Sequence, residues 1–421
     1  MTAESCASSA APDAEVGGLP PRSCGGAGCG TDNCFSRTAR AATTGTVRPG
    51  EPRPTVTEAR DRVDWLLADS IWWGGRLRRG VALRVGTDGR AKPVPAEMAP
   101  SDGVRRLPGT LLPGLVDAHV HAALADLGTV RAGGIAAVWD LGGVPDTLRD
   151  LAARAGRLGS ALPRIRYAGP FLIAPGGYPS DRAWAPAGSW REISSAADAG
   201  AAVAEAWSAG ATLIKVTAHA GGPTLPQPTL RALVEAAHAS GLQVVVHAEG
   251  PGTVAAAFEA GADLLAHTPW TESLPDPLLR ACASRMTWIS TLDIHGWTDP
   301  TPPGSVPPPG SVPPPGSVPP APEIDPAREV AIGNLRRFVE HGGKVRYGTD
   351  LGNGPLPAGV NPRELRALRA AGLTPDEILI AMTEPDQPGI TWLPSGLDLT
   401  PATFADLLAT ARVVDDTLQP R

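Results

Sequence analysis

The chain carries eight histidines in 421 residues, and all of them lie after position 118. Two form the run Asp117-Ala118-His119-Val120-His121, directly behind the apolar stretch Leu111–Val116. Side chains alternate faces along an extended chain, so His119 and His121 point the same way. Two imidazoles on one face at a strand's end form a natural chelate for a divalent metal. A lone pair of this kind is a weak signal. Four more metal-competent residues follow apolar runs in the same manner. Lys215 follows Thr212-Leu213-Ile214, His247 follows Val244-Val245-Val246, His267 follows Leu264-Leu265-Ala266, and Asp350 closes Val345-Arg346-Tyr347-Gly348-Thr349. One polar residue at a strand end is commonly structural. Five strand ends that all carry metal-competent groups point to one shared site.

The elements that must position these residues alternate regularly. Short apolar runs expected as strands are Leu111–Val116, Ile135–Trp139, Arg164–Ala168, Thr212–Val216, Leu242–Val246, Leu264–Ala266, Thr287–Ile289 and Val345–Tyr347. Amphipathic stretches expected as helices lie between most of them, as in Pro145–Arg157, Ala196–Ser208, Thr229–Ser240, Thr253–Ala260 and Pro326–Glu340. Strands alternating with helices imply parallel βαβ units. Eight such units predict an α/β fold of the (β/α)8 TIM-barrel type, which places catalytic groups at the C-terminal ends of its strands. An open doubly wound sheet is the competing arrangement. Residues 61–112, with short apolar runs broken by Gly, Asp and Pro, predict the first part of a small flanking β-domain. Residues 385–421 predict its return, through Ile390–Leu393 and Ala411–Val414. The barrel is expected over 113–384.

The 49 glycines and 46 prolines make up about 23% of the chain, close to the range of disordered sequences. Two segments concentrate them. Residues 1–60 lack hydrophobic periodicity and read as a disordered Gly/Pro/Ala/Ser-rich tail that also holds Cys6, Cys24, Cys29 and Cys34. Residues 302–322 repeat GSVPPP and read as a polyproline insertion between the seventh strand and the next helix. The net charge of −6 and the absence of a Lys/Arg stripe exclude an electrostatic footprint for nucleic acid. No run of 18 apolar residues predicts a membrane span, and the first twenty residues lack the apolar core of a signal peptide, so a cytoplasmic location is expected. Five cysteines without a secretion signal argue against a disulfide framework. The expected partner is a small-molecule substrate, and self-association into a homo-oligomer is open.

The segment Leu112-Pro113-Gly114-Leu115-Val116-Asp117-Ala118-His119-Val120-His121 resembles the first-strand signature of the amidohydrolase superfamily. Lys215, His247, His267 and Gly348-Thr349-Asp350 match its remaining ligand positions in order, over about residues 105–385. The similarity is greatest to the imidazolonepropionase-like and prolidase-like branch, where stretches such as AAHASGLQVVVH and GTDLG are typical. The resemblance implies a binuclear site with two divalent ions, expected to be zinc. His119, His121 and Asp350 would hold one ion, His247 and His267 the other, and Lys215, N-carboxylated by CO2, would bridge them. A plain lysine with a single ion is the alternative. The implied reaction is hydrolysis of a C–N bond in an amide, cyclic amide or dipeptide-like compound, with Asp350 accepting a proton from water and passing it to the leaving group. Mononuclear deaminases of the superfamily often carry a glutamate three residues after the fifth-strand histidine. Here Glu249 stands two residues after His247 and position 250 is glycine, which argues against a deaminase. A mononuclear deaminase or imidazolonepropionase-like ring-opening hydrolase, and a catalytically silent barrel acting as a binding scaffold, are the other readings. Substrate selection is expected from loop residues Tyr178, Arg182, His219, Trp270 and His295: Arg182 for a carboxylate and the aromatic groups for an apolar pocket. The Gly-Lys-x-Ala-Asp-Leu stretch usual near the C-terminus is missing, with Phe404-Ala405-Asp406-Leu407 only a faint echo.

Overall fold

The computed structural model describes residues 64–157, 159–295, 325–384 and 388–414. The Cys-containing tail at 1–60 and the proline-rich repeat at 302–322 lie outside the described residues.

Two parallel sheets organise the central region. One contains Leu115–Val120, Ile135–Asp140 and Arg164–Tyr167. The other runs in the order Trp190–Glu192, Phe171–Ile173, Leu213–His219, Gln243–Glu249, Leu264–Leu265, Thr287–Ile289 and Lys344–Arg346. Hydrogen bonds join the two sheets on both flanks. Thr212 N donates to Tyr167 O at 3.0 Å on one side. On the other, Ala118 N donates to Tyr347 O at 2.9 Å, Asp350 N to His119 O at 2.8 Å, and His121 N to Leu351 O at 2.7 Å.

Helices separate most successive strands, and their buried faces explain the choice of residues. Thr253–Ala260 and Pro326–Glu340 form over the predicted spans. Gln227–Ala239 buries Leu230, Leu233, Val234 and Ala237, the i, i+3, i+4, i+7 spacing of an amphipathic helix. Pro326–Glu340 buries Ala331, Leu335 and Phe338, and its N-cap Asp325 accepts from Ala327 N. Phe338 stacks on Trp288 with ring centroids 3.8 Å apart, and both are fully buried. A smaller apolar cluster includes Leu213, Val245, Leu264 and Ile289 from neighbouring strands. Lys215 and His247 stand two residues beyond Leu213 and Val245 and so share their face.

A third sheet combines both ends of the described chain. Its order is Arg412–Val413, Ile390–Leu393, Val104–Pro113, Asp64–Trp72, Val81–Val85 and Ala91–Pro95, with Leu77–Arg78 paired to Asp64–Trp72. Its own core joins Leu66, Ile71, Leu83, Leu107, Leu111, Ile390 and Val414. The sequence expectation is corrected here: Leu111–Val116 is not one strand. Leu111 and Leu112 end Val104–Pro113 in this sheet, and the parallel strand begins at Leu115. The switch falls at Gly114, where a Cβ would lie 2.9 Å from Ala136 Cβ and 3.1 Å from Gly389 O. Among the described residues no helix is long and apolar enough to cross a membrane.

Phe338→Ala removes a ring stacked inside the core and should cost about 3–5 kcal/mol of stability. Denaturant unfolding with a lowered midpoint and an unchanged slope would carry that result.

Candidate metal-centred active site

The six polar residues converge, although not all at strand ends. His119 is the fifth residue of Leu115–Val120, and His121 is the first residue beyond that strand. Lys215 and His247 lie inside Leu213–His219 and Gln243–Glu249, which run further than the apolar pattern predicts. His267 and Asp350 follow Leu264–Leu265 and Lys344–Arg346. All six side chains are buried.

Their orientation is set by hydrogen bonds behind the rings. His119 Nδ1 lies 2.8 Å from Ala266 O, and His121 Nδ1 lies 3.1 Å from Gly142 O. A carbonyl only accepts, so each Nδ1 carries the proton. The opposite nitrogens, Nε2 of His119 and His121, face one oxygen, Asp350 Oδ1, at 3.1 and 3.2 Å. Burial drives the His119 imidazole well below its ordinary pKa, so that ring is neutral and Nε2 presents a lone pair to a carboxylate. Burial also opposes the charge of Asp350, but His119, His121 and His267 hold its carboxyl well below the usual range. For His121, burial acts downward and the Asp350 hydrogen bond prevails, raising its pKa. A second proton on His121, at Nε2, would satisfy its own contact with Asp350 Oδ1. The His119 contact stays acceptor against acceptor unless a cation stands between the two atoms. This donor set, two imidazole lone pairs and a carboxylate with oriented rings, fits a divalent ion.

The second half is similar. The His247 and His267 ring centroids are 5.0 Å apart, and those of His119 and His267 are 4.6 Å apart. His267 Nδ1 is 2.9 Å from Thr291 Oγ1, and His247 Nε2 is 3.0 Å from Glu249 Oε2. Burial lowers the pKa of both rings and favours their neutral, metal-competent forms. His119, His267 and Asp350 form one group with ligand atoms within 4.8 Å of one another, and His219, His247 and Glu249 form a second. Lys215 is 1% exposed, and no hydrogen bond or ion pair reaches its Nζ among the described residues. Burial lowers its pKa to about 7.

The turn that carries Asp350 is held from beneath. Asp117 Oδ1 accepts from His119 N at 3.1 Å and from Thr349 N at 3.0 Å, while its Oδ2 accepts from Thr349 Oγ1 at 2.6 Å. Burial raises the Asp117 carboxyl to about 7, against these hydrogen bonds. Asp350 itself adopts φ 61°, an uncommon conformation for a non-glycine residue. Asp140 performs a related task after its strand, accepting from Ala122 N at 2.7 Å and Gly142 N at 3.0 Å.

The predicted loop residues also gather near the cluster. Tyr178 stacks on His247 at 4.8 Å and lies 5.2 Å from His219. The Arg182 guanidinium sits 5.5 Å from the Tyr178 ring and 3.5 Å from Asp181 Oδ1. Trp270 lies 5.4 Å from His267, and His295 tilts over Trp270 at 4.7 Å. Burial lowers His295 to about 4, and its buried Nε2 has no hydrogen-bond partner among the described residues. His219 belongs to the same strand as Lys215 and brings Nδ1 to 3.0 Å from Glu249 Oε2.

Residues 110–384 match the model of the Amidohydrolase family. The chain belongs to the amidohydrolase family. Among solved structures, this amidohydrolase is similar to a putative prolidase from Bifidobacterium longum, at 23% identity and TM-score 0.63 over 84% of this chain and 93% of that one. A Xaa-Pro dipeptidase with bound methionine is similar at 17% identity and TM-score 0.64, over 84% and 98% of the two chains. The A. niger ochratoxinase is similar at 17% identity and TM-score 0.64, over 85% and 95%. No curated protein matches the chain. The fold is accordingly TIM-barrel-like α/β, and the amidohydrolase is an enzyme acting on C–N bonds.

Several site residues escape sequence pattern. Glu249 is visible there only as a misplaced deaminase glutamate, yet its carboxylate joins His247 to His219. Trp184, 5.7 Å from His121, is one aromatic in a long loop, and Thr291 carries no motif. Their signal is three-dimensional. Packing is tight at Gly348, where a Cβ would collide with Ile289 Cγ2 and lie 3.0 Å from His119 Cβ. Gly348→Ala should therefore displace His119. Because a misplacement of about 1 Å costs about 10²-fold, steady-state hydrolysis should fall by that order.

Proposed function

We propose that this amidohydrolase is a binuclear metal-dependent hydrolase. Its substrate is a small amide, cyclic amide or dipeptide-like compound, and its site is the six-residue cluster set in a closed (β/α)8 barrel over 113–384. The third sheet, whose described strands run from Asp64–Trp72 to Val104–Pro113 and include Ile390–Leu393 and Arg412–Val413, would belong to a small β-domain assigned to 61–112 and 385–421. The observation that carries the reading is the pair of imidazole nitrogens aimed at Asp350 Oδ1 with their other nitrogens committed to carbonyls.

His119, His121 and Asp350 would hold one ion, and His247 and His267 the other, with zinc the expected metal. Divalent ions in such a site polarise a substrate carbonyl and acidify water for attack at neutral pH. Lys215 supports a bridging role through its own chemistry. A buried ammonium without a partner is costly, and with a pKa of about 7 a large share of the amine is neutral. A neutral amine adds to CO2, forming an N–C bond and releasing a proton, and the product is an anionic two-oxygen ligand. Asp350 accepts the proton of the attacking water and delivers it to the departing nitrogen. Asn353 Nδ2 donates to Asp350 Oδ2 at 3.0 Å and steadies the carboxylate. Tyr178, Trp270 and His295 contribute walls for an apolar substrate group, His219 braces Glu249, and Arg182 stands ready for a carboxylate.

Elemental analysis of the purified chain should find about two divalent ions, the number a bridged site of this type requires. A screen of N-acyl amino acids, dipeptides and lactams should identify substrates. On those, Asp350→Asn should lose about 10²–10⁴-fold in rate with the fold retained by circular dichroism. Full activity in that variant or in the metal-free protein would contradict the mechanism. The carbamate has a pH signature as well. The neutral amine of Lys215 is depleted as pH falls below about 7. Protein first depleted of CO2 should therefore regain activity faster at about pH 8 than at about pH 6 when equal dissolved CO2 is restored, because only the neutral amine can be recarboxylated.

A further inference from the structure

Among the described residues only two non-glycines have positive φ, Asp350 and Thr291, the latter at 44°. For a β-branched residue that is a genuine outlier, and such a conformation persists only where the surroundings impose it. The surroundings of Thr291 are specific. Its N–H donates to Gly348 O at 2.9 Å. The next two amides, Leu292 N and Asp293 N, donate to the two carboxylate oxygens of Glu364 at 3.0 and 2.6 Å. Glu364 is completely buried in the first turn of the helix Pro362–Ala370. The cap of that helix, Asn361, accepts from Arg363 N and Glu364 N and donates from Nδ2 to Asp293 Oδ2 at 2.8 Å. Arg363 Nε donates to the same Asp293 oxygen at 2.9 Å. The turn after Thr287–Ile289 is thus locked to the start of a helix more than seventy residues later. Its outward product is the Thr291 hydroxyl, 2.9 Å from His267 Nδ1.

We propose that Glu364 and Thr291 form a positioning device for His267. The buried carboxylate pins the turn in its strained shape, and the turn presents a hydroxyl to Nδ1 so that Nε2 stays directed at the cluster. The inference rests on the reading of that cluster as a metal site, but assigns to it two residues that touch neither ion nor substrate. A carboxylate placed only to satisfy two backbone amides would support stability without tuning metal affinity. A positioning device must do the second.

The test measures zinc affinity of the full-length metal-free chain, by competition with a chromophoric chelator, beside the melting temperature of the same metal-free protein. Thr291→Val keeps the shape and the branched Cβ but removes the hydroxyl. It should weaken zinc binding about 10–100-fold, the usual cost of losing a partner behind a ligand, with little change in metal-free melting. Thr291→Ser restores the hydroxyl and should bind zinc within a few-fold of the wild type. Glu364→Gln leaves one backbone amide without an acceptor and should weaken zinc binding in the same direction, which keeps the proposal testable if the valine variant does not fold. Wild-type affinity in Thr291→Val or in Glu364→Gln would overturn the proposal, as would a serine variant as weak as the valine one. A wild-type chain that binds no zinc would instead overturn the metal-site reading and the proposal with it.

Discussion

The structure turns on one electrostatic constraint: a carboxylate oxygen and two imidazole nitrogens are held within 3.2 Å in a buried site, and at least one of those contacts sets acceptor against acceptor. In water the conflict would dissolve by rotation of the rings. Here the rings cannot rotate without giving up Ala266 O and Gly142 O, both buried partners. An unsatisfied buried acceptor costs about 1–3 kcal/mol, and more when charged. The site therefore carries its demand for positive charge in its backbone geometry, before any ion arrives.

The fold serves that constraint by joining distant parts of the chain. His119 and Asp350 are 231 positions apart in numbering, yet Asp350 N donates to His119 O, and Asp117 fastens Thr349 from the same strand. The absence of a side chain at Gly348 allows the two segments to approach. Three buried carboxyls, Asp117, Asp140 and Glu364, accept backbone amides around the cluster, and burial raises the pKa of all three. For Asp117 and Glu364 the folded value is about 7, above the unfolded range near 4. The sign of the linkage follows: the folded state binds more protons between those values, so these two groups become less favourable to folding as pH rises from about 4 to about 7. The chain tolerates that cost where the carboxyls hold the turns of the site.

Much of this was legible from residue pattern. The six polar residues stand in order behind apolar runs, and strands such as Thr287–Ile289 and helices such as Thr253–Ala260 form over the predicted spans. What pattern could not reveal has physical reasons. Leu111–Val116 reads as one apolar run because hydrophobicity does not distinguish the core of one sheet from that of the next; the switch at Gly114 depends on contacts with Ala136 and Gly389. Lys215 looks like a strand end because polarity interrupts the run, whereas the strand continues to His219. Glu249, Thr291 and Glu364 act through partners in different elements, and a single sequence does not encode those pairings as spacing.

The most direct test of the central claim is the melting temperature of the metal-free full-length chain with and without zinc, in the absence of substrate. A ligand that binds only the folded state stabilises it by mass action, by about 2.7 kcal/mol at a hundredfold excess over Kd. The account predicts a clear upward shift for the wild type, reversed by chelator and clearly reduced when His119 is replaced by leucine, which removes the conflicting acceptor. An unchanged melting temperature in the wild type, or an equal shift in the His119→Leu variant, would contradict it.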